Sequence, residues 1–207
     1  MRSQLILLIG IVFCLLAISV YASSINNNWN FNDPLKKHEL ANIKNLEIKY
    51  YPVTGKSKKE LRKAINSNGP VDMYGDKKDA YTKWFISWKW PSDIGSVPDF
   101  SKTTSQLKIE LYLPKWIPAD KTSDELKDEW ISYYRAMLNH ELKHVEIALN
   151  NYQNVSKAIR TAADKNQFLS VIEAHKIAKN EVRKIHAADK TYDILSHSGR
   201  LEGVKFY

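Results

Sequence analysis

The sequence predicts an α+β fold, in which a small β-sheet from the first half of the chain packs against a long helix and a second backing helix from the second half. Two observations support this class. Between residues 40 and 118, apolar and polar residues alternate in short runs, which is typical of strands with one buried face. Between residues 122 and 198, no glycine or proline interrupts apolar residues at helical spacing. Strands followed by helices, rather than alternating with them, indicate α+β.

Three segments of the first half carry the strand pattern. Residues 46–50 alternate, and two longer runs each place their apolar side chains on one face of a strand. The predicted inward sets are Trp84, Ile86, Trp88 and Trp90 in one run and Leu107, Ile109, Leu111 and Leu113 in the other. Residues 57–66 have helical spacing instead, and they end at Asn68-Gly69-Pro70, which stops a helix.

Two long helices are predicted after Pro118. Thr122-Ser-Asp-Glu125 matches a capping box, with Thr122 as the N-cap and Glu125 reaching back to its backbone N–H. One helix then covers residues 123–163, Asp164-Lys-Asn166 is a break, and a second helix covers residues 167–190. Because each helix exceeds about 20 residues, we expect a helical hairpin packed on the sheet. The β-rich part is therefore 40–118 and the helical part 122–207.

The first 22 residues are predicted to be a cleaved secretory signal. Arg2 provides a positive start, residues 5–20 are almost wholly apolar, and Ala22 is the small residue expected before the cleavage point. The apolar run is shorter than the ~20 residues of a membrane-spanning helix, so we expect no membrane span after cleavage. Residues 23–207 would then form a single periplasmic or secreted domain, without the one cysteine, Cys14.

The charge of the chain argues against a nucleic-acid partner. Its 207 residues include 31 Lys or Arg and 23 Asp or Glu, for a net charge of +8. Because the acidic residues are spread along the whole chain, the basic excess does not form a polybasic arm.

The run His140-Glu141-Leu142-Lys143-His144 is the strongest chemical signal in the sequence. Residues four apart on a helix lie one turn apart on the same face, so both imidazoles can reach one ion. Zn²⁺ accepts imidazole nitrogen, and catalytic zinc sites keep one position open for water. Glu141 is adjacent to the first ligand and can take a proton from that water. The run therefore supplies two candidate zinc ligands, His140 and His144, and a candidate base.

A catalytic zinc ion needs a third protein ligand, which we expect downstream. The candidates are Glu146, Glu173, His175, Glu181, His186 and His197. Glu146 lies about 200° around the helix from His144 and faces away. Glu173 and Glu181 lie on the second predicted helix, where an antiparallel partner can present a carboxylate. His197 follows that helix in a segment that can turn back to the site. Spacing alone leaves these last three open.

The chain resembles the DUF922 family of predicted secreted zinc-dependent proteases over most of residues 23–207. The motifs that carry the resemblance are, in chain order, Tyr51-Pro-Val-Thr-Gly55, Glu60-Leu61-Arg62, Gly69-Pro70, Ala80-Tyr81-Thr82-Lys83-Trp84, the His140 to His144 run and Tyr192-Asp193. The resemblance implies a zincin-like hydrolase outside the cytoplasm, with His140 and His144 as ligands and Glu141 as base. It also makes His197 the leading third ligand. The tail departs from the family pattern in having Ser198 between His197 and the glycine.

The predicted function is a zinc-dependent hydrolase, most simply a peptidase acting on peptides or proteins. Glu141 would deprotonate the attacking water and return the proton to the leaving amine. Tyr192 is a candidate donor to the developing oxyanion or a packing residue, and Asp193 either orients a ligand histidine or caps a turn. The alternative is a non-catalytic extracytoplasmic binding protein, with a structural metal or none, that works through its aromatic sheet or its lysine-rich surface.

Overall fold

The structure is a computed structural model that describes residues 29–32, 34–35, 40, 43–93 and 96–206. The predicted secretory signal, residues 1–22, lies outside the described residues. Among the helices that are described, none is both long enough and apolar enough to cross a membrane.

A three-stranded sheet forms the first half of the fold. Its strands are β1 (Leu46–Val53), β2 (Tyr81–Lys89) and β3 (Thr104–Trp116), in the spatial order β1, β3, β2. The central strand β3 is parallel to β1 and antiparallel to β2. Helix α1 (Lys58–Asn68) follows β1, begins at Ser57, whose hydroxyl accepts from the Glu60 N–H, and ends at Gly69. The three predicted strands and this short helix are confirmed.

Three helices form the second half: α2 (Asp124–Asn151), α3 (Gln153–Lys165) and α4 (Val171–Ser196). The single helix predicted over 123–163 is thus two helices, separated at Tyr152. There, Ser105 of β3 donates its hydroxyl to the Tyr152 carbonyl at 3.1 Å, which fastens the junction to the sheet. The predicted break at 164–166 is confirmed, since Asn166 caps the end of α3.

The ends of two predicted helices are corrected by the structure. Ser123, and not Thr122, is the N-cap of α2, because the Ser123 hydroxyl accepts from the Leu126 N–H at 3.3 Å. The second helix runs over Val171–Ser196 and not over 167–190. A capping box formed by Ser170 and Glu173 begins the helix at Val171. The helix ends at Ser196, because His197 has a left-handed backbone conformation.

The helices cover one face of the sheet. On that face Leu107, Ile109, Leu111 and Leu113 of β3 are each at most 5% exposed, and Thr82 and Trp84 of β2 are also buried. The alternating residues Lys83 and Phe85 are exposed, as the strand pattern predicts. Helix α2 packs on this buried face, and α4 runs antiparallel to α2, since Asp189 lies beside His144 and Asp193 beside His140. The α+β architecture predicted from the sequence is confirmed.

Candidate metal centre

The two histidines of the His-Glu-x-x-His run lie in the middle of α2 and are both buried, each with 6% of its surface exposed. The helix is well started, because Asp124 and Glu125 occupy its first turn, where negative charge favours the helix dipole. The imidazoles project from the same face one turn apart, and their Nε2 atoms approach to 3.2 Å. The structure therefore brings His140 and His144 together as the helical spacing predicts.

A carboxylate from α4 completes a compact group of three. Asp193 Oδ1 lies 3.1 Å from His140 Nε2 and 3.2 Å from His144 Nε2. Among the described residues, these three side chains are the His, Cys, Asp and Glu group whose ligand atoms lie close enough to hold a metal ion. A metal-binding site at this position would have two imidazole nitrogens and one carboxylate oxygen as ligands.

The outer nitrogen of each imidazole also faces a carboxylate. His140 Nδ1 lies 2.9 Å from Glu202 Oε2, and His144 Nδ1 lies 2.8 Å from Asp189 Oδ1. An ionised carboxylate only accepts hydrogen bonds, so each Nδ1 donates to its carboxylate, and an imidazole that is neutral in this tautomer presents a lone pair at Nε2. Metal-bound histidines typically have such a carboxylate partner, which fixes both the tautomer and the ring orientation.

When both imidazoles are neutral, three acceptor atoms converge on one point and repel one another unless a metal ion lies between them. A protonated imidazole instead donates from Nε2 to Asp193 Oδ1. Burial lowers the pKa of His144, but its contacts with Asp189 and Asp193 outweigh burial and raise the pKa to about 10. Burial likewise lowers the pKa of His140, and its hydrogen bonds to Asp193 and Glu202 help to raise it overall. The cluster favours positive charge, supplied by a proton or by a metal ion.

The dimensions of the group fit zinc. An ion held at about 2.0–2.1 Å in tetrahedral geometry keeps its ligand atoms about 3.3 Å apart. The three contacts among the ligand atoms measure 3.1, 3.2 and 3.2 Å. Three protein ligands also match the number found in catalytic sites, which leave the fourth position for water. The residues present therefore fit a metal ion.

Glu141 lies beside this group but takes no part in it. Its side chain is buried with 6% exposed, and its Oε2 accepts a hydrogen bond from the Thr82 hydroxyl at 2.7 Å. Burial raises the pKa of the Glu141 carboxyl above its usual value, which makes it a stronger base. Thr82 belongs to β2, so the sheet contacts the centre of the site directly.

Tyr192 packs on both imidazoles. Its ring is stacked on His140 with centroids 5.0 Å apart, and it meets the ring of His144 edge-on at 5.1 Å. Its hydroxyl donates to the Glu202 carboxylate, 2.8 Å from each oxygen. Tyr192 therefore lies against both histidines, with its hydroxyl on the carboxylate that contacts His140. The oxyanion role stays a prediction.

The structure does not bring His197 to the histidine pair. His197 is exposed and ends α4 with a φ of 52°. The turn after it does return to the site, as the sequence predicts, but the side chain it delivers is Glu202. Gly199 makes this turn possible: its φ is +79°, and a Cβ there would lie 2.6 Å from Val204 Cγ2 and 3.1 Å from His140 Cγ.

The other candidate third ligands have different partners. Glu173 binds Ser170 in the capping box of α4, and Glu181 pairs with Lys184. Glu146 pairs with Lys143 on the far side of α2. The two remaining histidines contact the tryptophans of the first half: His175 accepts from Trp88 Nε1 at 3.0 Å, and His186 stacks on Trp84 with centroids 4.1 Å apart.

Three residues of the site were not predicted: Asp189, Glu202 and Thr82. A pattern for Asp189 exists, because Asp189 and Asp193 are four apart on α4 and match the spacing of the two histidines on α2. Thr82 continues the inward-facing alternation of β2 by one step. Glu202 has no sequence signal of its own, since only the turn at Gly199 brings it to His140.

Comparison with known proteins gives one match. The family described as "Bacterial protein of unknown function (DUF922)" matches residues 48–199, a span that begins within β1, ends just after α4 and includes His140, Glu141, His144 and Asp193. No curated protein and no solved structure matches the chain. Since the matched span covers well over half of the sequence, the chain belongs to the DUF922 family.

Proposed function

We propose that this protein is a zinc-dependent hydrolase, and specifically a peptidase, with His140, His144 and Asp193 as the metal ligands and Glu141 as the base. One observation carries the proposal. Two imidazole nitrogens and one carboxylate oxygen converge at 3.1–3.2 Å, while the opposite nitrogen of each imidazole is bound by a further carboxylate. With both imidazoles neutral, these groups leave three lone pairs facing one another, and a divalent cation satisfies all three.

Zinc, when bound, would acidify water and polarise a carbonyl. The chain supplies the rest of the chemistry. Glu141 would accept the proton of the attacking water at its carboxylate and deliver it to the leaving amine. Burial raises the pKa of this carboxyl, which makes it a stronger base for taking the proton of water. Asp189 and Glu202 would hold the imidazoles in the tautomer that keeps each Nε2 free.

Asp193 is a better third ligand than His197 on geometric grounds. Its Oδ1 already lies within 3.2 Å of both Nε2 atoms, whereas His197 is exposed beyond the end of α4. Moving the His197 side chain to the pair would require unwinding the turn that Gly199 makes and that delivers Glu202. Asp193 needs no rearrangement.

An extended peptide would bind along β2. In the described part of the sheet, β2 pairs on one side only, with β3, so its other edge is open for strand addition. This strand contains Thr82, whose hydroxyl touches Glu141, so a peptide paired to β2 would pass close to the base.

The proposal also includes export by the signal at residues 1–22, which N-terminal sequencing of the processed protein would test.

The decisive experiment compares Glu141→Gln with Glu146→Gln, a matched change on the opposite side of the same helix. We expect both variants to keep one zinc per chain. Glu141→Gln should lose hydrolysis of a proteome-derived peptide library, and Glu146→Gln should keep it. If Glu141→Gln still hydrolyses the peptides, Glu141 is not the base. Zinc-loaded wild type that cleaves no peptide would favour a binding protein instead.

A further inference from the structure

We propose that Thr82 is a positioning residue, whose hydroxyl fixes the carboxylate of Glu141 beside the metal centre. The inference rests on the proposed function, in which Glu141 is the base. It concerns a question that the His-Glu-x-x-His run leaves open, namely what holds the long glutamate side chain in one place. The structure points to the edge strand of the sheet and not to α2 itself.

The contact is short and buried. Thr82 Oγ1 lies 2.7 Å from Glu141 Oε2 and 3.1 Å from the Glu141 backbone carbonyl. Thr82 is 5% exposed and Glu141 6% exposed, so water competes little with this hydrogen bond. The shorter contact goes to the charged group, as expected for a hydroxyl that donates to a carboxylate.

The threonine itself is held firmly. Thr82 pairs with Leu111 in the antiparallel ladder of β2 and β3. Three residues earlier, Asp79 accepts a hydrogen bond from the Tyr133 hydroxyl of α2 at 2.6 Å. The contacts with Tyr133 and Glu141 are eight residues apart on the helix, about 12 Å, and their partners Asp79 and Thr82 are three residues apart, just before and just inside β2. The strand cannot slide along the helix without breaking both.

Removing the hydroxyl would release the carboxylate. A glutamate has three side-chain torsions, and a buried carboxylate that loses its donor is free to turn towards other donors or towards water. Proton transfer requires a base within about 2.6–3.2 Å of the proton it takes. Valine has the shape of threonine without the hydroxyl, and serine keeps the hydroxyl without the methyl group. The pair Thr82→Val and Thr82→Ser therefore isolates the hydrogen bond.

The first test measures cleavage of fluorescein-labelled casein by the zinc-loaded full chain. We expect Thr82→Val to lower kcat about 10- to 100-fold, because a small displacement of a catalytic group has effects of that size. KM and zinc affinity should change less than about two-fold, and Thr82→Ser should retain most of kcat. The matched control is Thr103→Val, which removes another buried hydroxyl, bonded to the Phe100 carbonyl at 2.7 Å. It should leave kcat unchanged. An unchanged kcat in Thr82→Val would overturn the proposal.

A second test does not depend on activity. Urea unfolding of the metal-free protein is measured for Thr82→Val in the wild-type background and in a Glu141→Ala background. We expect Thr82→Val to lower the urea midpoint clearly in the wild-type background. In the Glu141→Ala background the midpoint should fall little, because the carboxylate that the hydroxyl contacts is absent. Equal falls in both backgrounds would overturn the proposal. If wild type cleaves no casein but the urea midpoint falls more in the wild-type background than in Glu141→Ala, the peptidase function is rejected. The contact between Thr82 and Glu141 is then still supported.

Discussion

Asp79 and Asp193 both contact side chains of α2, but their surroundings are opposite. Asp79 lies at the entrance to β2 and is surrounded by donors. Arg62 Nη1 donates to its Oδ2 at 2.7 Å, the second nitrogen of that guanidinium donates to Oδ1, and the Tyr133 hydroxyl donates at 2.6 Å. The negative charge of Asp79 is therefore fully satisfied by the protein.

Asp193 instead faces two imidazole nitrogens, which donate to it only when the imidazoles are protonated. Its Oδ1 lies 3.1–3.2 Å from the Nε2 atoms of His140 and His144, whose Nδ1 atoms contact Glu202 and Asp189. This contrast separates a structural carboxylate, whose donors lie within the chain, from a candidate metal ligand, whose neighbours are imidazole nitrogens that can share a cation with it.

The largest expected effect comes from the same substitution made in each cluster. Asp193→Asn removes a charged ligand, so we expect zinc affinity to fall more than about 100-fold, beyond the loss that follows removal of an outer partner of a ligand. Asp79→Asn should leave the affinity unchanged. Competition with a chelating dye measures both values. Similar losses in the two variants would show that the contrast between the clusters is wrong.

The next largest effect is expected for the two carboxylates that contact the Nδ1 atoms of the histidines. Asp189→Asn and Glu202→Gln leave the three ligands in place but release the orientation of one imidazole each. We expect a 10- to 100-fold loss of zinc affinity in each variant, with one zinc per chain retained at saturation. Glu181→Gln, which removes a carboxylate paired with Lys184 on the same helix, serves as the control. An affinity that stays at the wild-type value in both outer variants would contradict their role.

The Asp79 cluster should affect folding and not metal binding. Arg62→Met removes two donors from a partly buried carboxylate, so we expect the free energy of unfolding to fall by about 1.5 kcal/mol. Zinc affinity should stay within about two-fold of wild type. Urea denaturation and dye competition on the same preparation separate the two effects. If Arg62→Met weakens zinc binding but leaves the free energy of unfolding unchanged, the Asp79 cluster serves metal binding and not folding.

The smallest effect concerns a third carboxylate, Glu110, which is 7% exposed and lies on the face of the sheet away from α2. Glu110 contacts Lys108, Lys49 and Tyr112, and these donors lower its pKa from 4.5 to about 2. A carboxyl whose pKa is depressed in the folded state stabilises the protein above its unfolded pKa, and the benefit is lost as the pH falls towards about 2. The stability difference between wild type and Glu110→Gln should therefore be complete at pH 6 and shrink below about pH 4.5. A difference independent of pH would contradict this.

The parts of the site that were predictable are those that depend on local spacing. The pairing of His140 with His144 follows from the helical repeat, and the inward alternation of β2 and β3 follows from the two-residue repeat of strands. The register between α2 and α4 is a tertiary property, which no repeat in either helix encodes.

One misplaced helix end explains the uncertainty about the third ligand. If the second helix ended at residue 190, Asp193 would lie beyond it, where a carboxylate can serve as a turn cap. His197 would then lie in a segment that can fold back to the site. The structure extends the helix to Ser196, which places Asp193 on the same face as Asp189. A side chain on a helix face has a fixed direction, and this one points at the histidine pair.

A crystal structure of the zinc-loaded protein, with anomalous data collected at the zinc edge, would show which residues hold the metal. We predict one anomalous peak per chain, bonded to His140 Nε2, His144 Nε2 and Asp193 Oδ1, with Glu202 and Asp189 still on the outer nitrogens. A peak coordinated by His197 in place of Asp193, or no ordered zinc at the histidine pair, would show that the proposed metal site is wrong.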